Sequence, residues 1–211
     1  VRSGATPPGE FLDLSHFLNE LRLFKSAAEL RVMKEAGEIS ARAHVRAMKA
    51  SKAGVMEYQL EAEILHEFVR SGSRGFAYTP IIGSGKNSCV LHYVKNDQVC
   101  REGELVLLDV AAEWGGWNAD MTRTVPASGR FSKRQRQVYD AVLRVFRGAN
   151  DLLRPGNDPT EYQKPILSLM ERELANLEER RARRAAEVAL REAEKRCQLL
   201  LDSSVDAITY V

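Results

Sequence analysis

With 211 residues, 44% of them hydrophobic, the chain can bury one good core and a second small unit. A formal net charge of +2 argues against a strongly basic nucleic-acid surface, and no apolar run approaches the ~20 residues that span a bilayer. Three cysteines (Cys89, Cys100 and Cys197) form no CxxC pair, so a reducing, cytoplasmic setting fits better than a disulfide framework.

Residues 1–24 read as a linker leading into the first domain, with Pro7, Pro8 and Gly9 as breakers. Val1 to Glu10 hold no apolar stretch of signal-peptide type, and a first residue that is Val rather than Met is expected of a chain cut from a longer one. Ser26 caps a helix, with Glu29 completing a capping box. Leu30, Met33, Ile39, Ala43 and Met48 recur along it at roughly helical spacing. Gly54 follows, and Glu57 to Arg70 is a second helix with Leu60, Ile64, Leu65 and Phe68 on one face.

Composition then shifts towards Gly, Val, Ile, Tyr and Thr. Ile81-Ile82, Val90-Leu91, Leu105 to Val110 and Trp117 to Val125 read as strands, the last two joined as a β-hairpin. Helices return after Gly129. Ser132 caps one that carries Val138, Ala141, Val142, Val145 and Phe146; Arg154-Pro155-Gly156 breaks it. Another starts at Asp158 or Thr160 and runs through Ile166, Leu169, Met170 and Leu174. From Glu178 to Arg196, 12 of 19 residues are charged, the pattern of a solvated or coiled-coil helix, expected to stop near Leu199 to Ser204.

The strongest chemical feature is the pair Asp109 and Asp120. A turn centred on Trp114-Gly115 pairs residues whose numbers add to about 229, as 109 and 120 do, and puts the carboxylates directly opposite each other. Like charges so placed repel, and a shared proton or a bound cation offsets that. The plainer alternative is one solvated or turn-capping Asp. The Leu105 to Leu108 run suggests a strand buried on both faces, an unlikely site for a casual carboxylate. Thr122 and Thr124 either orient the carboxylates or simply reflect β-propensity.

His92, in a strand-like run, is a candidate to donate to a developing oxyanion or leaving amine; the alternative is a core histidine bonded to backbone. Gly83-Ser-Gly-Lys-Asn87 is not a phosphate loop: Pro80 stands where the motif needs Gly, and Lys86 is followed by Asn87 rather than Ser or Thr. A glycine bend that lets backbone approach substrate is expected instead. Arg180, Arg181, Arg183 and Arg184 form a solvated face, not a nucleic-acid site.

Five blocks of sequence resemble one family. Arg22 to Leu30, Phe76-Ala-Tyr-Thr-Pro-Ile-Ile-Gly-Ser-Gly-Lys-Asn87, Leu91-His-Tyr93, Leu107-Leu-Asp-Val110 and Asn118-Ala-Asp-Met-Thr-Arg-Thr-Val-Pro126 are similar to the motif series of the Xaa-Pro aminopeptidases (aminopeptidase P). These belong to the creatinase and methionine aminopeptidase group with the pita-bread fold. The resemblance extends over about residues 10–177, with 17 residues from His92 to Asp109 and 11 from Asp109 to Asp120.

It implies a metallopeptidase that removes an N-terminal residue preceding proline, using two divalent ions, commonly Mn²⁺. By position it implies Asp109 and Asp120 as metal ligands, His92 near the scissile bond as catalytic and substrate-contacting residue, and Tyr78 lining the substrate pocket. The family completes its metal site with one His and two Glu from the later half of the domain. No His follows His92 here, so two of the five ligands are present and the chain alone is expected to be inactive.

Beyond Leu177 the resemblance changes. Arg191 to Ile208 is similar to the helical lead-in to a PAS sensor domain. The expectation is an α+β fold: residues 25–177 forming the N-terminal half of a pita-bread domain, a curved antiparallel sheet covered by helices, and residues 178–211 a long charged helix. That helix pairs with a second copy or leads into a sensor domain. The partner is a peptide with proline at its second position, with neither nucleic acid nor membrane involved. Alternatives are a non-catalytic module that binds peptide or a partner chain, and a signalling fragment.

Overall fold

The computed structural model describes residue 4 and residues 9–208, with side chains described as far as residue 195 except at 159. It divides into two units, residues 1–130 and 131–211. Among the described residues no helix is long and apolar enough to cross a membrane.

The first unit is built on three antiparallel strands in the order β1 (Ile81–Ser84), β2 (Leu105–Trp114) and β3 (Trp117–Pro126). Helices α2 (Ala27–Ala50) and α3 (Glu57–Arg70) cover one face. Strand alternation explains the division of labour along β2. Val106, Leu108, Val110 and Ala112 point into the core with Ile39, Ala43, Leu60, Ile64 and Phe68, all fully or almost fully buried. Leu105, Leu107 and Asp109 point the other way and are only half-buried. The expectation of burial on both faces is therefore corrected: this is a one-sided sheet of the kind antiparallel pairing allows.

Helix α2 begins as the sequence indicates. Ser26 accepts from the Glu29 amide and the Glu29 carboxylate accepts from the Ser26 amide. Its buried stripe is Ala36, Ile39, Ser40, Ala43, His44 and Ala47, whereas Leu30, Met33 and Met48 are exposed. Small residues let the helix axis come close to the sheet, which larger side chains on that stripe would prevent. At the closest approach the Ser40 hydroxyl accepts from Ala112 N–H at 3.0 Å and donates to Ala119 C=O at 2.9 Å, tying α2 to both strands of the hairpin.

The segment read as a linker contains α1 (Ser15–Leu23), none of whose residues is buried. One further sequence expectation fails in this unit. The Val90-Leu91 "strand" is a loop: Val90 is 54% and Leu91 92% exposed, after a 3₁₀ turn at Gly85–Cys89. The glycine bend also has a structural role. A Cβ on Gly83 would stand 2.9 Å from the backbone of Asn87, so glycine is required for the chain to fold back on itself.

The second unit is an antiparallel helix pair, α4 (Lys133–Leu152) and α5 (Pro159–Ile208). Ser132 caps α4 with Gln135. Of the expected apolar face only Ala141 is buried, and Val142 and Phe146 are exposed, because two helices share no more than a narrow seam. In that seam Gly148 lies against Leu169, and Arg144 makes a two-pronged ion pair with Glu173 at 3.0 and 2.7 Å. Helix α5 continues without a break past Leu177 and past the expected stop near Leu199, to Ile208.

Candidate metal and substrate site

The hairpin turn is Gly115-Gly116, with φ of 58° and 81°. Positive φ at both central positions is the signature of a type I′ turn, whose twist matches that of the strands it joins. The register follows: Trp114 pairs with Trp117, Ala111 with Asp120, and Asp109 with Thr122. This corrects the expected facing of Asp109 and Asp120. A turn centred on Trp114-Gly115 would force the Trp into a left-handed conformation, which costs a bulky residue far more than it costs glycine. Side chains of register partners share a face, so Asp109, Ala111, Asp120 and Thr122 lie together on the face away from the helices, the two aspartates as diagonal neighbours.

A third residue joins them. The segment before β1 runs beside β2, with Phe76 bridging to Ala112 and the Ala77 amide donating to Ala111 C=O at 2.9 Å. This brings Tyr78 over the diagonal pair. Its hydroxyl lies 2.6 Å from Asp109 Oδ1 and 2.9 Å from Asp120 Oδ1. A phenol has one hydrogen, so that single donor is shared between two carboxylates. Burial and hydrogen bonding to both aspartates push the Tyr78 phenol well above its ordinary range, which keeps it protonated and available as a donor.

Thr122 is exposed, directly across from Asp109, and Thr124 is across from Leu107 on the same face. His92 is not in a strand. It is exposed, in the left-handed region at φ 53°, and its ring makes no hydrogen bond to another described residue. A polar cavity of about 400 Å³ lies elsewhere, lined by residues such as Ser84, Lys86, Tyr93 and Arg101, and contains neither aspartate.

Two exposed or half-exposed carboxylates, one hydroxyl and no thiolate make a hard, all-oxygen donor set that fits Mg²⁺- or Mn²⁺-like ions. Among the described residues no group of three or more His, Cys, Asp and Glu stands ready to hold a metal.

Sequence reasoning missed Glu57. It is fully buried, and its carboxylate accepts from Ser84, Asn87, Tyr93 and Gln98. Burial pushes its carboxyl up, but the donors, led by the Ser84 hydroxyl and amide, outweigh burial and hold it below its ordinary range. Only its place at a helix start was visible in the sequence. The donors are 27 to 41 residues away, where no local pattern reaches.

The model of metallopeptidase family M24 matches residues 31–188. The Xaa-Pro aminopeptidase of Escherichia coli K12 is 43% identical over 169 residues, which are 80% of this chain and 38% of that protein. The structure of Pseudomonas aeruginosa aminopeptidase PepP is similar with a TM-score of 0.78 at 43% identity, over 83% of this chain and 40% of that one. Zinc-substituted E. coli aminopeptidase P in complex with product is similar with a TM-score of 0.77 at 41% identity, over 85% and 42%. The chain therefore spans about two fifths of the length of these relatives, and the likeness carries the expected fold, part of the pita-bread architecture.

Proposed function

The chain belongs to metallopeptidase family M24, and we propose that it forms the first part of a metal-dependent aminopeptidase that removes an N-terminal residue preceding proline. The observation that carries this reading is the hydroxyl of Tyr78 shared by Asp109 and Asp120 on one open face of the sheet. Two carboxylates held that close call for positive charge. In this reading Asp109 and Asp120 are ligands of two divalent ions, with Mn²⁺ suited to the oxygen donors. When bound, such ions supply a nucleophile at neutral pH and polarise the scissile carbonyl.

The remaining roles belong to side chains of this chain. Tyr78 holds the carboxylates together and borders the substrate pocket. The imidazole of His92 donates to the developing oxyanion or to the leaving amine. Thr122 supports Asp109 from the neighbouring strand. The substrate is a peptide with proline at its second position. A cytoplasmic setting is part of the proposal, supported by Cys89 and Cys100 both being free thiols.

With two of five ligands, the 211-residue chain holds a cation weakly and does not turn over substrate. The test is a titration with Mn²⁺ followed by an assay on an Xaa-Pro peptide. Weak binding that Asp109→Asn abolishes supports the reading. Binding that is identical in Asp109→Asn overturns the metal site, and turnover above an Asp120→Ala control overturns the claim that the site is incomplete.

A further inference from the structure

We propose that Glu57 is a positioning residue for His92: its buried carboxylate gathers the loop after β1 into one conformation and so fixes the backbone that presents the imidazole. The proposal rests on the reading above for what His92 does there.

The loop leaves β1 at Ser84 and returns where residues 98–100 pair with the start of α3. There the Glu57 amide donates to Gln98 C=O at 2.9 Å and the Cys100 amide to Val55 C=O at 2.8 Å. Between these ends the loop has little regular structure beyond the 3₁₀ turn. Two of its non-glycine residues are left-handed, His92 at φ 53° and Asn96 at φ 49°. Such residues hold that conformation only where the surroundings over-determine it.

Glu57 supplies that determination. Its Oε1 accepts from the Ser84 amide at 2.6 Å, the Ser84 hydroxyl at 2.7 Å and the Asn87 side-chain amide at 3.2 Å. Its Oε2 accepts from the Tyr93 hydroxyl at 2.7 Å and the Gln98 amide at 3.0 Å. The donors come from the loop's beginning, its middle and its end. Tyr93 directly follows His92, so anchoring one ring inward sets the direction in which its neighbour points outward. Position at the first turn of α3 favours the negative charge.

Asn96 pins the same loop from the other side. Its Oδ1 accepts from Ile82 N–H at 3.0 Å and its Nδ2 donates to Pro80 C=O at 3.0 Å, so that the side chain pairs with the free edge of β1 as a strand would. His92 has no such bonds of its own and inherits its place from these two anchors.

An ordinary buried anchor would destabilise the whole unit when neutralised. A positioning role requires a local effect, because three of the five donors to Glu57 lie beyond the sheet ladder and the other two are on Ser84 at its end. The test uses the 211-residue chain with Glu57→Gln, followed by amide hydrogen exchange and the imidazole carbon–proton NMR signal of His92.

We expect exchange across residues 85–98 to rise about tenfold or more, as loss of a charged hydrogen-bond acceptor implies. Exchange at Val106 to Val110 should stay as it was, and the His92 signal should broaden or move. Loop exchange that rises only in step with the hairpin, or a His92 signal unchanged in position and width, overturns the proposal. If Glu57→Gln does not fold, Tyr93→Phe decides: it removes one donor and leaves the carboxylate. An unmoved His92 signal in that variant overturns the proposal equally. Neither readout needs metal or turnover, so failure of the peptidase reading and failure of this one are separate results.

Discussion

Replacing Tyr78 with Phe removes one oxygen and almost no volume, so its effect isolates the hydroxyl shared by the aspartates. That hydroxyl is 2.6 and 2.9 Å from two carboxylate oxygens, the shorter contact within the charge-assisted range. A hydrogen bond to a charged group contributes about 1.5–3 kcal/mol when sheltered. Here Asp120 is exposed and Tyr78 half-buried, so water replaces part of what is lost. The net cost should be about 1–1.5 kcal/mol, or a fall in Tm of roughly 4–6 °C for a unit of this size.

The assay is favourable because both tryptophans of the chain, Trp114 and Trp117, flank the hairpin turn. Their fluorescence reports melting of the first unit alone. Adding millimolar Mn²⁺ should close most of the gap between wild type and Tyr78→Phe, because a cation on the same oxygens relieves the same repulsion. An unchanged Tm without metal would refute the bridging geometry. A gap that Mn²⁺ leaves untouched would refute the cation argument, and a double-mutant cycle with Asp120→Ala shows whether the hydroxyl couples to that carboxylate.

Other consequences are open to measurement. Gly116→Ala should cost about 1 kcal/mol of unfolding free energy in urea, since φ 81° is strained for alanine and its Cβ meets nothing within 4 Å. Gly115→Ala should cost more, because its Cβ also falls 2.9 Å from Val32 Cγ1. The Glu57 carboxyl titrates below its ordinary 4.5 in the folded state, so its contribution is complete above that pH and lost as pH falls through the folded value. Protection of the loop at residues 85–98 should therefore fall more steeply below pH 4.5 in wild type than in Glu57→Gln, read as amide exchange against pH. Trypsin should cut first among Arg180 to Arg184, where every residue from 181 to 195 is exposed; resistance equal to that of the first unit would contradict a weakly anchored helix.

What the sequence made legible was local. The Ser26–Glu29 capping box, the Ser132 cap and the span of α3 depend on residues within one turn of each other, and they were found. The α1 helix was missed because Leu14, Phe17, Leu18 and Leu21 have helical spacing but stand beside Pro and Gly breakers, and in this structure they cover nothing. Val90 and Leu91 have strand propensity, yet the side-chain bonds of Tyr93 and Asn96 just beyond them decide the backbone. The aspartate pair was found as a pair but with its register displaced, because the flanking tryptophans hid which two residues could be left-handed. Ser40, Glu57 and Asn96 were invisible: each satisfies groups far away in the chain, and a polar residue inside a helix or loop carries no mark of its distant partner.

The alternation along β2 also explains how a charged pair coexists with a stable sheet. Core and chemistry use opposite faces of the same ten residues. Val106, Leu108 and Val110 are fully buried against the helices and supply the hydrophobic stabilisation, at roughly 1.5–3 kcal/mol for each such side chain. Asp109 sits between Leu108 and Val110 in sequence but on the open face, where its charge is not forced out of water. Neutralising it should therefore alter cation binding without unfolding the strand, whereas truncating Leu108 should destabilise the unit by about 2–5 kcal/mol while leaving the carboxylates in place in the molecules that stay folded. The half-buried Leu105 and Leu107 share the open face with Asp109, so that one face carries both the exposed apolar surface of the strand and its uncompensated charge. In the proposed reading, a surface bringing both apolar cover and further ligands would satisfy the two needs together.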